Sequence, residues 1–294
     1  MIRHVRRVTA TCALGALALG LAGCGETASS GVPGATRSAG IPESPPKPKT
    51  TVTSRPTTRP TLAPGPGGTT PVFERGAATK GRTVALTFDA DMTADQGARA
   101  RAGERFDNPQ LIRTLRKLKV PATVFMTGRW AEEYPAEARD IGRDRLFEVA
   151  NHSYSHYAFT GDCYGLPGVP ERGMRADVDR AFGAFRKAGV EHVVPYFRFP
   201  GGCYDRAALR ALAPTGVTAV QWDVVSGDAF ATDADAVTQQ VLDGVRPGSV
   251  VVMHCTRSAA PTTERVVRAV VPRLRAKGYR FVRVSDLVGA ARGA

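Results

Sequence analysis

Two of the five histidines in this 294-residue chain stand four apart in Asn151-His152-Ser153-Tyr154-Ser155-His156. Placed just after a strand, one helical turn presents both imidazoles to a single cation, and two such ligands plus a carboxylate leave positions open for water and substrate. The Glu of a His-Glu-x-x-His peptidase is missing, which disfavours a zincin. A second candidate is Thr87-Phe88-Asp89-Ala90-Asp91, two carboxylates close in sequence with nothing basic beside them. One can bind a metal while the other takes a proton from the water it activates. Each element also has a bland reading: hydrogen-bonded histidines without a metal, or an Asp-rich turn capping the next helix. What weighs against those readings is where the elements fall.

From Thr83 onward, short β-branched runs alternate with amphipathic stretches. Strands are predicted at Thr83–Phe88, Ala122–Met126, Leu146–Ala150, Val193–Arg198, Val217–Trp222, Ser249–Met253 and Arg280–Val284. Helices are predicted at Pro109–Lys119, near Ala131–Ile141, at Glu171–Ala188, from Asp205, near Asp233–Leu242 and at Thr262–Lys277. The alternation predicts an α/β fold, a distorted (β/α) barrel of about seven parallel strands. In such a barrel the carboxyl ends of the strands meet on one rim, where chemistry sits. Asp89, His152, Arg198, Trp222 and His254 all end or directly follow a predicted strand. No internal repeat is evident.

The amino-terminal quarter is different. Arg3, Arg6 and Arg7 precede an apolar run from about Ala10 to Ala22, too short and Gly-rich for a stable membrane span. It reads as a cleaved signal over residues 1–23, with Arg6-Arg7 a hint of twin-arginine export. The run ends Leu21-Ala22-Gly23-Cys24, similar to the lipobox of bacterial lipoproteins, which implies lipidation of Cys24 and an export product anchored to the outer face of the cell membrane. Residues 24–75, rich in Pro, Thr, Ser and Gly, are expected to be a disordered spacer, leaving 76–294 as the folded domain. Of the net charge of +13, over half comes from residues 1–80, where ten Lys/Arg face three Asp/Glu. The domain carries no zinc-finger spacing or aromatic RNA-binding signature, so nucleic acid is not an expected partner and an anionic envelope polymer is. Cys163, Cys203 and Cys255 remain in the domain, enough for one disulfide and one free thiol. Sequence leaves the pairing open, although the Gly/Tyr-containing loops around Cys163 and Cys203 favour those two.

Thr87-Phe88-Asp89, His152-Ser153-Tyr154-Ser155-His156 and Arg198-Phe199-Pro200-Gly201-Gly202, followed by Trp222 to Asp228 and Val250 to Cys255, resemble in order the five motifs of the NodB-type polysaccharide deacetylases, carbohydrate esterase family four. The resemblance spans roughly residues 82–286. It implies metal-dependent release of acetate from N-acetylated polysaccharide, with Asp89 as general base, His152 and His156 as ligands of a divalent cation, most simply Zn2+, and His254 as general acid. Arg198 then orients the base, as a guanidinium fork fixes a carboxylate and lowers its pKa. Gly201 and Trp222 are expected at the substrate and oxyanion, and Asp228 behind the catalytic imidazole, with Asp223 in reserve. Two departures stand out. The family's second Asp directly follows the first, but here Ala90 holds that place, so Asp91 is the expected third ligand, with Asp89 or water as fallback. Ala229 stands where the family has Trp, with Phe230 next to it. Placement beside the wall makes peptidoglycan amino sugars the first expected substrate, ahead of chitin oligomers and acetylated xylan, with the protein acting as a monomer; a wall-binding lipoprotein with a degenerate site is the rival.

Overall fold

The computed structural model describes residues 59–78 and 81–292. The signal, Cys24 and the spacer as far as residue 58 lie outside the described residues. The described part is a parallel sheet with helices along its outside. Its strands are β1 (Val72–Phe73), β2 (Thr83–Ala90), β3 (Ala122–Met126), β4 (Phe147–Asn151), β5 (Val193–Phe197), β6 (Thr218–Val220), β7 (Val224–Val225), β8 (Ser249–His254) and β9 (Arg280–Phe281). They run in the order β1-β6-β5-β4-β3-β2-β8-β7, with β9 joined to β2. Every pairing between these strands is parallel. The sheet curls as expected, but β1 and β7 form its two edges and are not paired with each other, so the distorted barrel is open along that seam.

The main helices are α1 (Gly97–Arg101), α2 (Pro109–Lys117), α3 (Gly128–Glu133), α4 (Pro135–Arg143), α5 (Glu171–Ala188), α6 (Arg206–Leu212), α7 (Ala234–Gly244), α8 (Thr263–Ala276) and α9 (Val284–Arg292). Several begin on side-chain caps that sequence makes visible: Asn108 accepts from Leu111 N at 3.1 Å, Asp205 from Ala208 N at 2.8 Å and Asp233 from Asp235 N at 2.9 Å. The single helix expected near Ala131–Ile141 is two. Pro135 has no N–H to give and biases the residue before it away from helical geometry, and Tyr134 sits at φ −121° between α3 and α4. The strand expected at Arg280–Val284 stops at Phe281, because Val284 already opens α9.

The spacer assignment is corrected at its end. Residues 59–75 are not a loose tether but lie on the domain: Val72 and Phe73 pair with Ala219 and Val220, Leu62 N donates to Thr218 Oγ1 at 3.1 Å, and Tyr196 Oη donates to the Pro60 carbonyl at 2.7 Å. A low-hydropathy segment needs only two apolar residues on an exposed sheet edge to be captured there, and Val72-Phe73 supplies them.

Alternation along β2 decides what faces the interior. Val84, Leu86, Phe88 and Ala90 pack outward under the helices, while Ala85 joins Phe125, Ala150, Tyr196, Val220 and Val250 inside, with Val284, Leu287 and Val288 of α9 against them. The inward set of β2 continues through Thr87 and Asp89. Register then brings the strand ends level: Asp89 is opposite His254 on β8 and Phe125 on β3, and Asn151 is opposite Met126 and Phe197.

Candidate active site

One cavity of about 250 Å³ opens at these strand ends, lined by Asp89, Asp91, His152, His156, Gly201, Trp222 and His254 together with Tyr164, Leu166, Val225, Phe230 and Val252. The expected residues therefore meet, apart from Arg198 and Asp228, which stand directly behind the lining.

Asp89 is buried at the end of β2. Arg198 Nη1 donates to its Oδ1 at 2.6 Å, and His152 Nε2 stands 3.7 Å from its Oδ2. Arg198 itself is fully buried, its guanidinium 3.9 Å from the centre of the Phe125 ring and bonded through Nε to the Val220 carbonyl at 3.2 Å. Burial alone would raise the Asp89 carboxyl. The charge and hydrogen bond of Arg198, with His152 and His254 nearby, outweigh it and hold Asp89 below the usual carboxylate range.

The two histidines converge, with ring centres 5.0 Å apart, but not by a helical turn as their spacing suggested. Residues 152–156 form a loop in which Ser153 and His156 adopt φ of +67° and +55°. Local hydrogen bonds fix it: Ser153 N donates to Asn151 Oδ1 at 2.8 Å and His156 N to Ser153 Oγ at 2.8 Å. Asn151 is anchored in turn by donating to the Val178 carbonyl of α5 at 3.0 Å. His152 Nδ1 lies 3.0 Å from the Arg198 carbonyl, a contact that places the proton on Nδ1 and leaves the Nε2 lone pair to the cavity. Burial keeps both rings neutral, lowering His152 and taking His156 to about 4.

Asp91 follows β2 by one residue and keeps the parity of Asp89, so both carboxylates face the cavity while Ala90 is buried among the outer helices. Its Oδ2 is 3.7 Å from His156 Nε2. Among the described residues no three His, Cys, Asp or Glu side chains stand close enough to grip an ion as they are. The donor set nevertheless suits a borderline divalent cation: a carboxylate oxygen and two neutral imidazoles, one of them oriented by a backbone carbonyl.

On the neighbouring strand, His254 ends β8 and its Nδ1 meets Asp228 Oδ1 at 2.8 Å. Asp228 is buried and held by four donors, which include Ser226 Oγ at 2.9 Å, Thr263 Oγ1 at 2.6 Å and His254 N at 2.8 Å. Burial opposes charge on His254, but the hydrogen bond and charge of Asp228 prevail and raise the imidazole to about 9. The reserve candidate, Asp223, is elsewhere: it accepts from Ser249 Oγ at 2.9 Å and Val250 N at 2.8 Å and ties the approach to β7 onto β8.

Gly201 and Gly202 have φ of +64° and +75°, and a Cβ on Gly202 would stand 2.5 Å from the Trp222 ring, so glycine is required where the turn passes that indole. The turn is stapled by a Cys163–Cys203 disulfide, the pairing the sequence favoured; Cys255 is a buried free thiol. The staple fixes the loop bearing Tyr164, which is 80% exposed. With Val225 and the 83%-exposed Phe230, Tyr164 makes up the exposed large apolar residues of the described chain, and all three line this cavity. Tyr164, Leu166 and the supporting Asn151 and Thr256 were not foreseen; no periodicity or spacing marks them.

Residues 76–220 match the polysaccharide deacetylase family. A chitooligosaccharide deacetylase of Azorhizobium caulinodans is 28% identical over 58% of this chain and 83% of its own length. A peptidoglycan-N-acetylglucosamine deacetylase of Bacillus cereus is 28% identical over 69% of this chain and 67% of its own. The fold is also that of a crystallised peptidoglycan N-acetylglucosamine deacetylase, with a TM-score of 0.62, 24% identity and coverage of 74% of this chain and 92% of that one. A curled parallel sheet that carries the Arg198–Asp89 and Asp228–His254 pairs at its carboxyl rim, together with the match of residues 76–220, places this chain in the NodB-type polysaccharide deacetylases of carbohydrate esterase family four, a family of deacetylating hydrolases.

Proposed function

We propose that this protein hydrolyses the N-acetyl groups of peptidoglycan amino sugars from the outer face of the cell membrane, with a divalent cation, zinc, held by Asp91, His152 and His156. The observation that carries the catalytic reading is the pair of dyads at one cavity: Arg198 on Asp89, and Asp228 on His254. The cation would supply polarisation of the acetyl carbonyl and a more acidic attacking water. Asp89, kept ionised by Arg198, takes the proton of that water as it attacks. The Gly201 backbone takes part in stabilising the oxyanion. His254, cationic beside Asp228, protonates the departing nitrogen, so acetate leaves and a free amine remains on the sugar. Tyr164, Trp222 and Phe230 offer apolar faces to the sugar rings.

The peptidoglycan assignment is supported by the relative from Bacillus cereus and by the Cys24 lipobox, which would hold the domain against the wall. The test is acetate release from peptidoglycan, chitin oligomers and acetylated xylan, with chelator and with zinc restored. Asp89→Asn and His254→Ala should each lose about 100-fold or more. Wild-type rates in those variants would refute the roles, and activity confined to xylan would refute amide hydrolysis.

A further inference from the structure

The displaced carboxylate creates a mechanical problem. A ligand directly after Asp89 would still be inside β2, its backbone fixed by neighbours on both sides. Asp91 lies beyond the strand's last residue, Ala90, where the ladder to β3 and β8 has ended. Something else must hold it.

We propose that Thr256 is the positioning residue for the metal-binding carboxylate of Asp91. Its hydroxyl, nearly fully buried, is the hub of three contacts with this one residue. It accepts from Asp91 N at 3.2 Å, lies 3.3 Å from the Asp91 carbonyl, and is within hydrogen-bond reach of Asp91 Oδ1. A hydroxyl has one proton, and the carboxylate is the stronger acceptor, so the arrangement is Asp91 N–H to Oγ1 and Oγ1–H to Oδ1. That uses Oδ1 and turns Oδ2 toward His156 Nε2, 3.7 Å away. Thr256 is itself held rigidly. Cys255 N donates to the Asp89 carbonyl at 2.7 Å, and the Thr256 carbonyl accepts from Ala259 N at 3.2 Å and Ala260 N at 2.8 Å. The segment that ends in His254 therefore also sets the opposite carboxylate, and one strand end positions both the general acid and a metal ligand. A hydrogen bond of this kind behind a ligand typically governs cation affinity by about 10- to 100-fold.

The inference rests on Asp91 as a ligand, so the experiment separates the two. Zn2+ affinity of the full chain is measured by competition with a chelating dye, and the site is read independently by the visible spectrum of the Co2+ form. Thr256→Val should weaken Zn2+ binding about 10- to 100-fold and alter the Co2+ spectrum, while Thr256→Ser stays within about 3-fold of wild type. Thr256→Ala serves as the hydroxyl deletion should the valine variant not fold. Wild-type affinity in the hydroxyl deletion, or an equal loss in Thr256→Ser, overturns the proposal. Asp91→Asn is the separate control: if it binds Zn2+ as tightly as wild type, Asp91 is not a ligand and the underlying reading fails instead.

Discussion

Asp228→Asn tests the acid side of the site most directly. Asp228 contributes a full negative charge 2.8 Å from His254 Nδ1, and that contact lifts the imidazole from its ordinary 6.5 to about 9 despite burial. At ~1.4 kcal/mol per pH unit the difference is about 3 kcal/mol in favour of the imidazolium. An asparagine of the same shape removes the charge and lets burial push the ring back down, against the remaining pull of the Asp91 and Asp89 charges. At pH 7.5 about 97% of the rings are cationic in the wild type; a return of the imidazole to its ordinary 6.5 would leave about 9%, a ~10-fold drop in kcat/KM from protonation alone. The loss should shrink as pH falls toward 5.5, where Asp89, held low by Arg198, is still ionised. In the wild type the alkaline limb of kcat/KM should lie near pH 9; in the variant it should lie well below that. Stability follows the same sign. A raised imidazole stabilises the fold fully below its unfolded value of about 6.5, and that contribution is lost as pH rises through about 9, so the gap in unfolding midpoint between wild type and variant should narrow over that window. The assay is acetate release across pH with parallel denaturant unfolding. An alkaline limb that stays near 9 in Asp228→Asn would refute the coupling.

Three further outcomes are expected. Arg198→Met leaves Asp89 buried without its partner, so the fold should lose about 3–5 kcal/mol and the acidic limb of kcat/KM should move upward, a shift that would be absent if Arg198 were only a packing residue. Cys203→Ser removes a cross-link between residues 40 apart and frees the Tyr164 loop; denaturant unfolding should show a loss of about 2–4 kcal/mol, with KM rising on polymer, and an unchanged midpoint would contradict the staple's role. Cys24→Ala should move the protein from the membrane fraction to the soluble exported fraction, and continued sedimentation with membranes would rule out the lipid anchor.

What the sequence reveals here follows physical rules. β2 to β6 and β8 are legible because parallel strands buried on both faces are continuous apolar runs, and α5 is bounded by Glu171 and a left-handed Gly189. β1 and β7 are not legible: each has two residues, and an edge pairing leaves no periodic signal. The loop of His152 to His156 is hidden for another reason. A four-residue spacing fits a helical turn equally well, and only the hydrogen bonds of Asn151 and Ser153 compensate the left-handed backbone that brings the rings together. Asp91 was legible only as the nearest carboxylate to the place where the resemblance puts a ligand; that it shares the face of Asp89, two residues before it, emerges from the fold. Its clamp was not, because Thr256 is 165 residues away and follows no motif.

The acid and base roles proposed for His254 and Asp89 cannot be assigned from the motifs in isolation, because their partners are distant in the chain. Asp89 and Asp228 are both buried aspartates, both held below the usual carboxylate range, and both end or follow apolar segments. They differ in partner. Arg198 comes from 109 residues away and keeps its charge throughout the working range, so Asp89 stays ionised with Oδ2 turned into the cavity. His254 comes from 26 residues away and titrates, so Asp228, enclosed by four donors, faces no substrate and passes its influence to the ring. Each carboxylate is stabilised by a cation, but only one has an unengaged oxygen at the cavity and only the other has a cation that can release a proton. The division of labour lies in what the fold sets against each aspartate, and exchanging the partners rather than the aspartates is the change that would invert it.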